Sequence, residues 1–128
     1  MIGILLVSHS KRLAEGLAEL IQALAGNTLT VGTVGGQETL GVDATMVVSA
    51  LEQLKAQGCE AILVLGDLGS AFIAAETARD LFADTRDIRI ADAPFVEGSV
   101  AAAMVLATGG RIDDAIESAQ EAYQIHKR

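Results

Sequence analysis

Tryptophan is missing from this chain, and only three phenylalanines and one tyrosine stand among its 128 residues. A core must therefore be built from Ala, Leu, Val and Ile. There is material for it, since 51% of the residues are apolar and a domain of this size buries roughly two-thirds of its unfolded surface. The single cysteine, Cys59, excludes an internal disulfide framework and a Cys-rich zinc site. Basic residues are few: 9 Lys and Arg against 17 Asp and Glu give a formal net charge of −8. That is the wrong sign for a general binder of nucleic acid or of an anionic membrane. No apolar run reaches the roughly 18 residues of a membrane span. The run at 2–7 has no basic stretch before it and no small-residue cleavage pattern at the proper distance, so it reads as a strand and not as a signal peptide. The expectation is a soluble, acidic, cytoplasmic chain, folded as one domain over residues 1–128.

What is present alternates between two periods. Residues 2–7 form a continuous apolar run, as in a strand covered on both faces, and Ser8-His9-Ser10 interrupts it. A helical pattern follows, with Ser10 as N-cap and Leu13, Leu17, Leu20, Ile21 and Leu24 on its inner face. Residues 29–34 read as a second strand ended by Gly35-Gly36, and 37–42 as a polar loop. Asp43 caps a second helix whose inner face is Val47, Ala50, Leu51 and Leu54, and Gly58 ends it. The third strand, 61–65, runs into the glycine-punctuated loop 66–70. A third helix over 71–82 has Phe72, Ala75, Ala78, Leu81 and Phe82 as core. A short fourth strand follows at 88–91, then Pro94, then helices at 97–107 and 112–125 separated by Gly109-Gly110. Strands alternating with helices predict an α/β domain with an open, mainly parallel sheet and helices on both faces. The common order for so small a sheet is 2-1-3-4, with the crossover reversing between strands 1 and 3.

Ligands of such sheets bind beyond the carboxyl ends of the strands, at that reversal. His9 follows the first strand and Asp67 the third, so the order 2-1-3-4 makes them face each other. A carboxylate accepting from one imidazole nitrogen fixes the tautomer and leaves the other nitrogen's lone pair as a nucleophile. The bland readings are a histidine capping a strand end and a glycine-flanked turn aspartate. The glycine loops 35–36 and 66–70 can present backbone N–H groups to an oxyanion, although neither is a P-loop, for no Gly-Lys-Ser/Thr is present. His126, near the C-terminus, complements a helix dipole, and Cys59 is expected to be buried. Glu97 and Asp113-Asp114 suit the first turns of helices.

Four segments in order resemble one family: Leu6-Val7-Ser8-His9-Ser10-Lys11, Gly35-Gly36, Leu65-Gly66-Asp67-Leu68-Gly69-Ser70-Ala71, and Ala91-Asp92-Ala93-Pro94-Phe95-Val96-Glu97-Gly98. They are similar to the phosphotransfer subunits of phosphoenolpyruvate-dependent dihydroxyacetone kinases, which are built on the mannose-type IIA (EIIA) fold of the sugar phosphotransferase system. The resemblance covers nearly the whole chain. It implies that His9 accepts a phosphoryl group from the phosphocarrier HPr. It implies transfer to ADP on a separate nucleotide-binding kinase subunit, whose ATP then phosphorylates dihydroxyacetone on the dihydroxyacetone-binding subunit. It also implies Asp67 as the hydrogen-bond partner of His9, and a homodimer. Fused HPr-like and enzyme-I-like domains of some members have no room in 128 residues, so the donor is expected in trans. One departure stands out: an acidic stretch ending in Gly-Thr-Ser is expected after Gly35-Gly36, and the chain has Gly41-Val42-Asp43. Thr39 or backbone groups would then substitute.

On this reading catalysis rests on His9 and Asp67, and phosphate is held by Ser8, Ser10, Gly36, Gly69 and Ser70, with amides from Ser10-Lys11 and Gly69-Ser70-Ala71. No metal is needed and no cofactor is bound beyond the covalent phosphoryl on His9. The nearest alternative is a mannose-type IIA domain that passes its phosphate to a sugar-transporter EIIB domain. A receiver domain would also place Asp67 after strand 3, but it needs an acidic pair where Ser8-His9-Ser10 stands. A metal chelatase would need further ligands, and a non-catalytic interaction module is the plainest alternative.

Overall fold

The computed structural model describes residues 1–82 and 87–128. β1 (Ile2–Ser10), β2 (Thr30–Gly36), β3 (Ala61–Gly66) and β4 (Asp87–Ile90) form a four-stranded sheet of order β2-β1-β3-β4. Every pairing is parallel, with Leu5 opposite Gly32 on one side and Val64 on the other. The strands are joined through α1 (Lys11–Ala25), α2 (Ala44–Ala56) and α3 (Gly69–Leu81), and α4 (Phe95–Ala107) and α5 (Ile112–Glu121) follow β4. The expected class, strand order and layering are what the structure has.

The alternation of a strand divides the core. Leu5, Val7, Ile62 and Val64 point to one face, where they pack with Val47, Leu51 and Leu54 of α2 and Ala71, Ala75 and Ala78 of α3. Ile4, Leu6, Leu63 and Leu65 point to the other, against α1, α4 and α5. On that side the helix contacts lean on alanine: Ala14 of α1, Ala102 and Ala103 of α4, and Ala115 and Ala119 of α5 are all fully buried. Small faces bring the helices in close, which is how a chain with so few aromatics closes its core. Cys59 is fully buried, and a Cβ added to Gly3 would stand 2.7 Å from its Sγ, so that thiol fills space.

Several sequence expectations are corrected. On α1 the buried stripe is Ala14, Leu17 and Ile21. Leu13, Leu20 and Leu24 are 46%, 40% and 54% exposed, because they occupy the neighbouring stripe of the same helix. Leu81 is exposed at the last turn of α3, and Phe72 and Phe82 are half-buried. β1 does not stop at Val7. It runs on to Ser10, which pairs with Gly36 after a register break, so Gly35 and Gly36 belong to β2. α5 ends at Glu121 and a 3₁₀ turn (Ala122–Gln124) follows. The chain leaves the helix there, Tyr123 donating its hydroxyl to Asp92 at 2.9 Å and Lys127 pairing with Glu97 at 2.6 Å. His126 thus lies past a 3₁₀ turn and not at the end of α5, whose dipole it was expected to complement.

Leu51→Ala, in the fully buried face of α2, should cost about 2–5 kcal/mol of unfolding free energy. Leu24→Ala should change it by no more than about 0.5 kcal/mol. Urea titration of both variants checks the assignment of the two helix faces.

Candidate active site

β1 and β3 are neighbours, and Val7 pairs with Gly66, so the residues that follow emerge side by side at the carboxyl edge. His9 and Asp67 are 58 residues apart in the chain, and His9 Nδ1 lies 2.9 Å from Asp67 Oδ1. Asp67 Oδ1 also accepts the Leu68 N–H at 2.7 Å. Its Oδ2 accepts the Ser8 hydroxyl at 2.8 Å and the His9 N–H at 3.0 Å. The four donors match the roughly four lone-pair sites of a carboxylate. Burial alone would push the Asp67 carboxyl up. The donors from the His9 backbone, the His9 ring, Ser8 and Leu68 outweigh it and hold the group below the usual carboxylate range.

An ionised carboxylate only accepts, so Nδ1 carries a proton, and in the neutral ring Nε2 keeps its lone pair. The Ser70 hydroxyl donates to that lone pair, with Oγ 2.5 Å from Nε2. The His9 side chain is 25% exposed and that of Asp67 10%, so the imidazole is reachable and the carboxylate is shielded. The arrangement presents one imidazole nitrogen, in a fixed tautomer, beside a movable hydroxyl and the start of a helix.

The other residues expected in the site stand close by, in different attitudes. Ser8 is fully buried, and its oxygen accepts the Ser10 N–H at 3.0 Å while its proton goes to Asp67. Ser10 caps α1, its Oγ accepting the Leu13 N–H at 3.3 Å. Of the amides expected to hold phosphate, that of Ser10 is taken by Ser8, and that of Ala71 by the Leu68 carbonyl at 3.0 Å. Gly69 and Ser70 open α3, where Leu68 supplies no side-chain cap. Their amides stand at the positive end of the helix dipole.

Gly35 and Gly36 act through what they leave out. A Cβ on Gly35 would come within 2.5 Å of the Ser8 carbonyl oxygen and 2.8 Å of the Lys11 nitrogen. One on Gly36 would collide with the Thr39 carbonyl. The glycine pair lets β2 lie flat against the turn from β1 into α1. The loop 37–43 then folds back, and the Gly41 N–H donates to the His9 carbonyl at 2.8 Å. Gly41 has φ +136°, a conformation side chains resist. Asp43 caps α2 by accepting the Met46 N–H at 3.0 Å. Sequence reasoning missed the amides of Leu68 and Gly41, because backbone donors leave no mark in residue type.

Among the described residues, no group of three or more His, Cys, Asp or Glu side chains could hold a metal ion, and no helix is long and apolar enough to cross a membrane.

Residues 3–116 match the family model of the PTS system fructose IIA component, EIIA-man. The chain is 37% identical over 131 residues to the phosphoryl donor subunit DhaM of the PEP-dependent dihydroxyacetone kinase of Providencia stuartii, covering 97% of this chain and 27% of that protein. It thus spans about a quarter of the length of that relative. The phosphotransferase subunit DhaM of the PTS-dependent dihydroxyacetone kinase of Lactococcus lactis is 31% identical, with 98% of each chain covered. A crystal structure of a protein of unknown function superposes with a TM-score of 0.81 at 31% identity, covering 94% of this chain and 93% of that one.

The lowered value of Asp67 ties stability to pH. Its ionised form stabilises the fold above the unfolded carboxylate value of about 3.9, and that contribution is lost as the pH falls through the lower folded value. Asp67→Asn removes it. Between about pH 5 and pH 2 the variant's unfolding free energy should therefore fall less steeply than that of the unaltered chain. Denaturant titrations across that range check this, and parallel curves would refute it.

Proposed function

This chain belongs to the EIIA-man family of phosphotransferase-system IIA components, and from that premise we propose that it is a phosphohistidine carrier acting through His9 Nε2. The observation that carries the reading is the pair of contacts on one ring: Nδ1 lies 2.9 Å from Asp67 Oδ1 and Nε2 lies 2.5 Å from the Ser70 hydroxyl. A nucleophilic nitrogen is thereby aimed at the start of α3, where helix amides favour an anion.

Phosphoryl transfer asks mainly for in-line placement and for donors to the three equatorial oxygens. In the proposed cycle the Nε2 lone pair attacks the phosphorus of phospho-HPr. The Nε2–P bond forms as the donor's own P–N bond breaks and its nitrogen recovers an electron pair. Ser70 must rotate off Nε2 for this, and its hydroxyl then donates to a phosphoryl oxygen, with the Gly69 and Ser70 amides beside it. Asp67 stabilises the positive charge that grows on the ring through Nδ1–H. In the second half a terminal oxygen of ADP attacks, the Nε2–P bond breaks, and ATP forms on the nucleotide-binding kinase subunit. That ATP phosphorylates dihydroxyacetone on the partner subunit. The names of the relatives support ADP-linked transfer over a transporter acceptor, for they are called phosphoryl donor subunits of dihydroxyacetone kinases. An EIIB acceptor is the second reading, favoured by the family match alone.

The same proposal places the carrier in the cytoplasm, takes residues 1–128 as one IIA domain, and includes a homodimer. Within it Ser10, Gly36, Gly69 and Ser70 border the phosphate, Ser10 and Gly36 through backbone placement.

His9→Ala should abolish labelling by phosphoenolpyruvate, enzyme I and HPr, while His126→Ala should leave it unchanged. Label persisting on the His9 variant would overturn the site. Phosphorylated carrier mixed with an ADP-loaded kinase subunit and, separately, with an EIIB domain should be drained by the first. Drainage by EIIB alone would select the second reading.

A further inference from the structure

Ser8 has no exposed surface, yet its hydroxyl is engaged twice, giving its proton to Asp67 Oδ2 at 2.8 Å and accepting the Ser10 N–H at 3.0 Å. The proton is therefore not available to a phosphoryl group on Nε2, which lies on the opposite side of the imidazole from the nitrogen that Asp67 holds. A carboxylate turns about its last torsion in a broad, two-fold well. Its attitude here is set by what each oxygen receives. Oδ1 has the His9 ring and the Leu68 N–H, and Oδ2 has the His9 N–H and Ser8. Three of these donors belong to the backbone or to the histidine itself. Ser8 is the one donor from a third side chain, and it is joined to the first turn of α1 through Ser10, whose Oγ caps that helix.

We propose that Ser8 is a positioning residue. It holds Asp67 Oδ2 so that Oδ1 stays on Nδ1, and so keeps His9 in the tautomer whose free nitrogen is Nε2. It also makes the attitude of the dyad depend on the seating of the α1 N-terminus. Without the hydroxyl, Oδ2 keeps one donor, the carboxylate swings more freely, and the Ser10 N–H loses its acceptor. The inference rests on the carrier reading only for its rate measurement, since the tautomer is a property of the unphosphorylated chain.

The chain has only two histidines, so the His9 ring nitrogens can be followed by long-range ¹H–¹⁵N correlation above the pH at which the rings titrate. The unaltered protein should show the Nδ1–H form of His9 alone. Ser8→Ala should add a measurable Nε2–H population and change the pH profile of the His9 shifts. Phosphoryl uptake from phospho-HPr should fall about ten-fold, the scale of one hydrogen bond to a charged group. Ser8→Thr, which keeps a hydroxyl, should restore the tautomer, and Ser8→Cys, a poorer donor of nearly the same size, gives the same readout should the alanine variant not fold. Asp67→Asn should be the more damaging change. The Ser8→Ala/Asp67→Asn double variant should be no more than about two-fold slower than Asp67→Asn, because Ser8 works through Asp67. A wild-type tautomer pattern in folded Ser8→Ala or Ser8→Cys, or losses that multiply in the double variant, would overturn the proposal. If the unaltered chain takes up no phosphate, the carrier reading fails, and the tautomer spectra still decide the role of Ser8.

Discussion

The candidate site depends on a single carboxylate that has no free lone-pair direction. Asp67 receives donors from its own next residue, from a serine on the neighbouring strand, and twice from the histidine that it orients. Donors to an anion are stronger than those between neutral groups, and here four converge on a group with little exposure. The result is an imidazole whose protonation pattern is set before any partner arrives. In the proposed carrier that preorganisation replaces what a metal ion or a P-loop lysine does elsewhere, namely readiness without rearrangement at the moment of transfer.

The rest of the fold supplies that junction. Parallel pairing with Val7 opposite Gly66 sets Ser8 and His9 level with Asp67. Burial of β1 and β3 on both faces makes the level hard to shift, because Ile4, Leu5, Leu6 and Val7 are locked between two helix layers. The glycines of β2 let the edge strand close on the turn into α1, and the Ser10 cap fixes where that helix starts. The net charge of −8 is compatible with the proposed phosphate carrier. A phosphoryl group bonded to nitrogen and faced by helix amides needs no basic basin to retain it.

Much of this was legible in residue order because it follows from period and punctuation. Continuous apolar runs marked the strands, and Ser10 and Asp43 marked helix starts. The meeting of His9 with Asp67 was legible once the sheet order was assumed, although β1 runs past His9 to Ser10 and does not end before it. What was not legible has a common physical root. Helix phase within a broad apolar stripe is ambiguous by one residue, so Leu13, Leu20 and Leu24 were put inside with Leu17 and Ile21, and Ala14 was missed. Hydrogen-bond direction is also invisible in a residue name. Ser8 was expected to face phosphate, and its hydroxyl points inward to Asp67. The amides of Gly41 and Leu68 are supplied by the backbone, which any sequence offers.

The loop 37–43 holds the histidine's carbonyl through one main-chain amide, at a glycine with a positive φ. Its side chains take no part in that hold, and Leu40 stands 80% exposed within it. Two properties that are usually entangled are therefore separate here. The loop's path is tied to the main chain of His9, while Leu40 presents its side chain to solvent. Gly41-Val42-Asp43, standing where Gly-Thr-Ser was expected, thus meets His9 through the main chain alone.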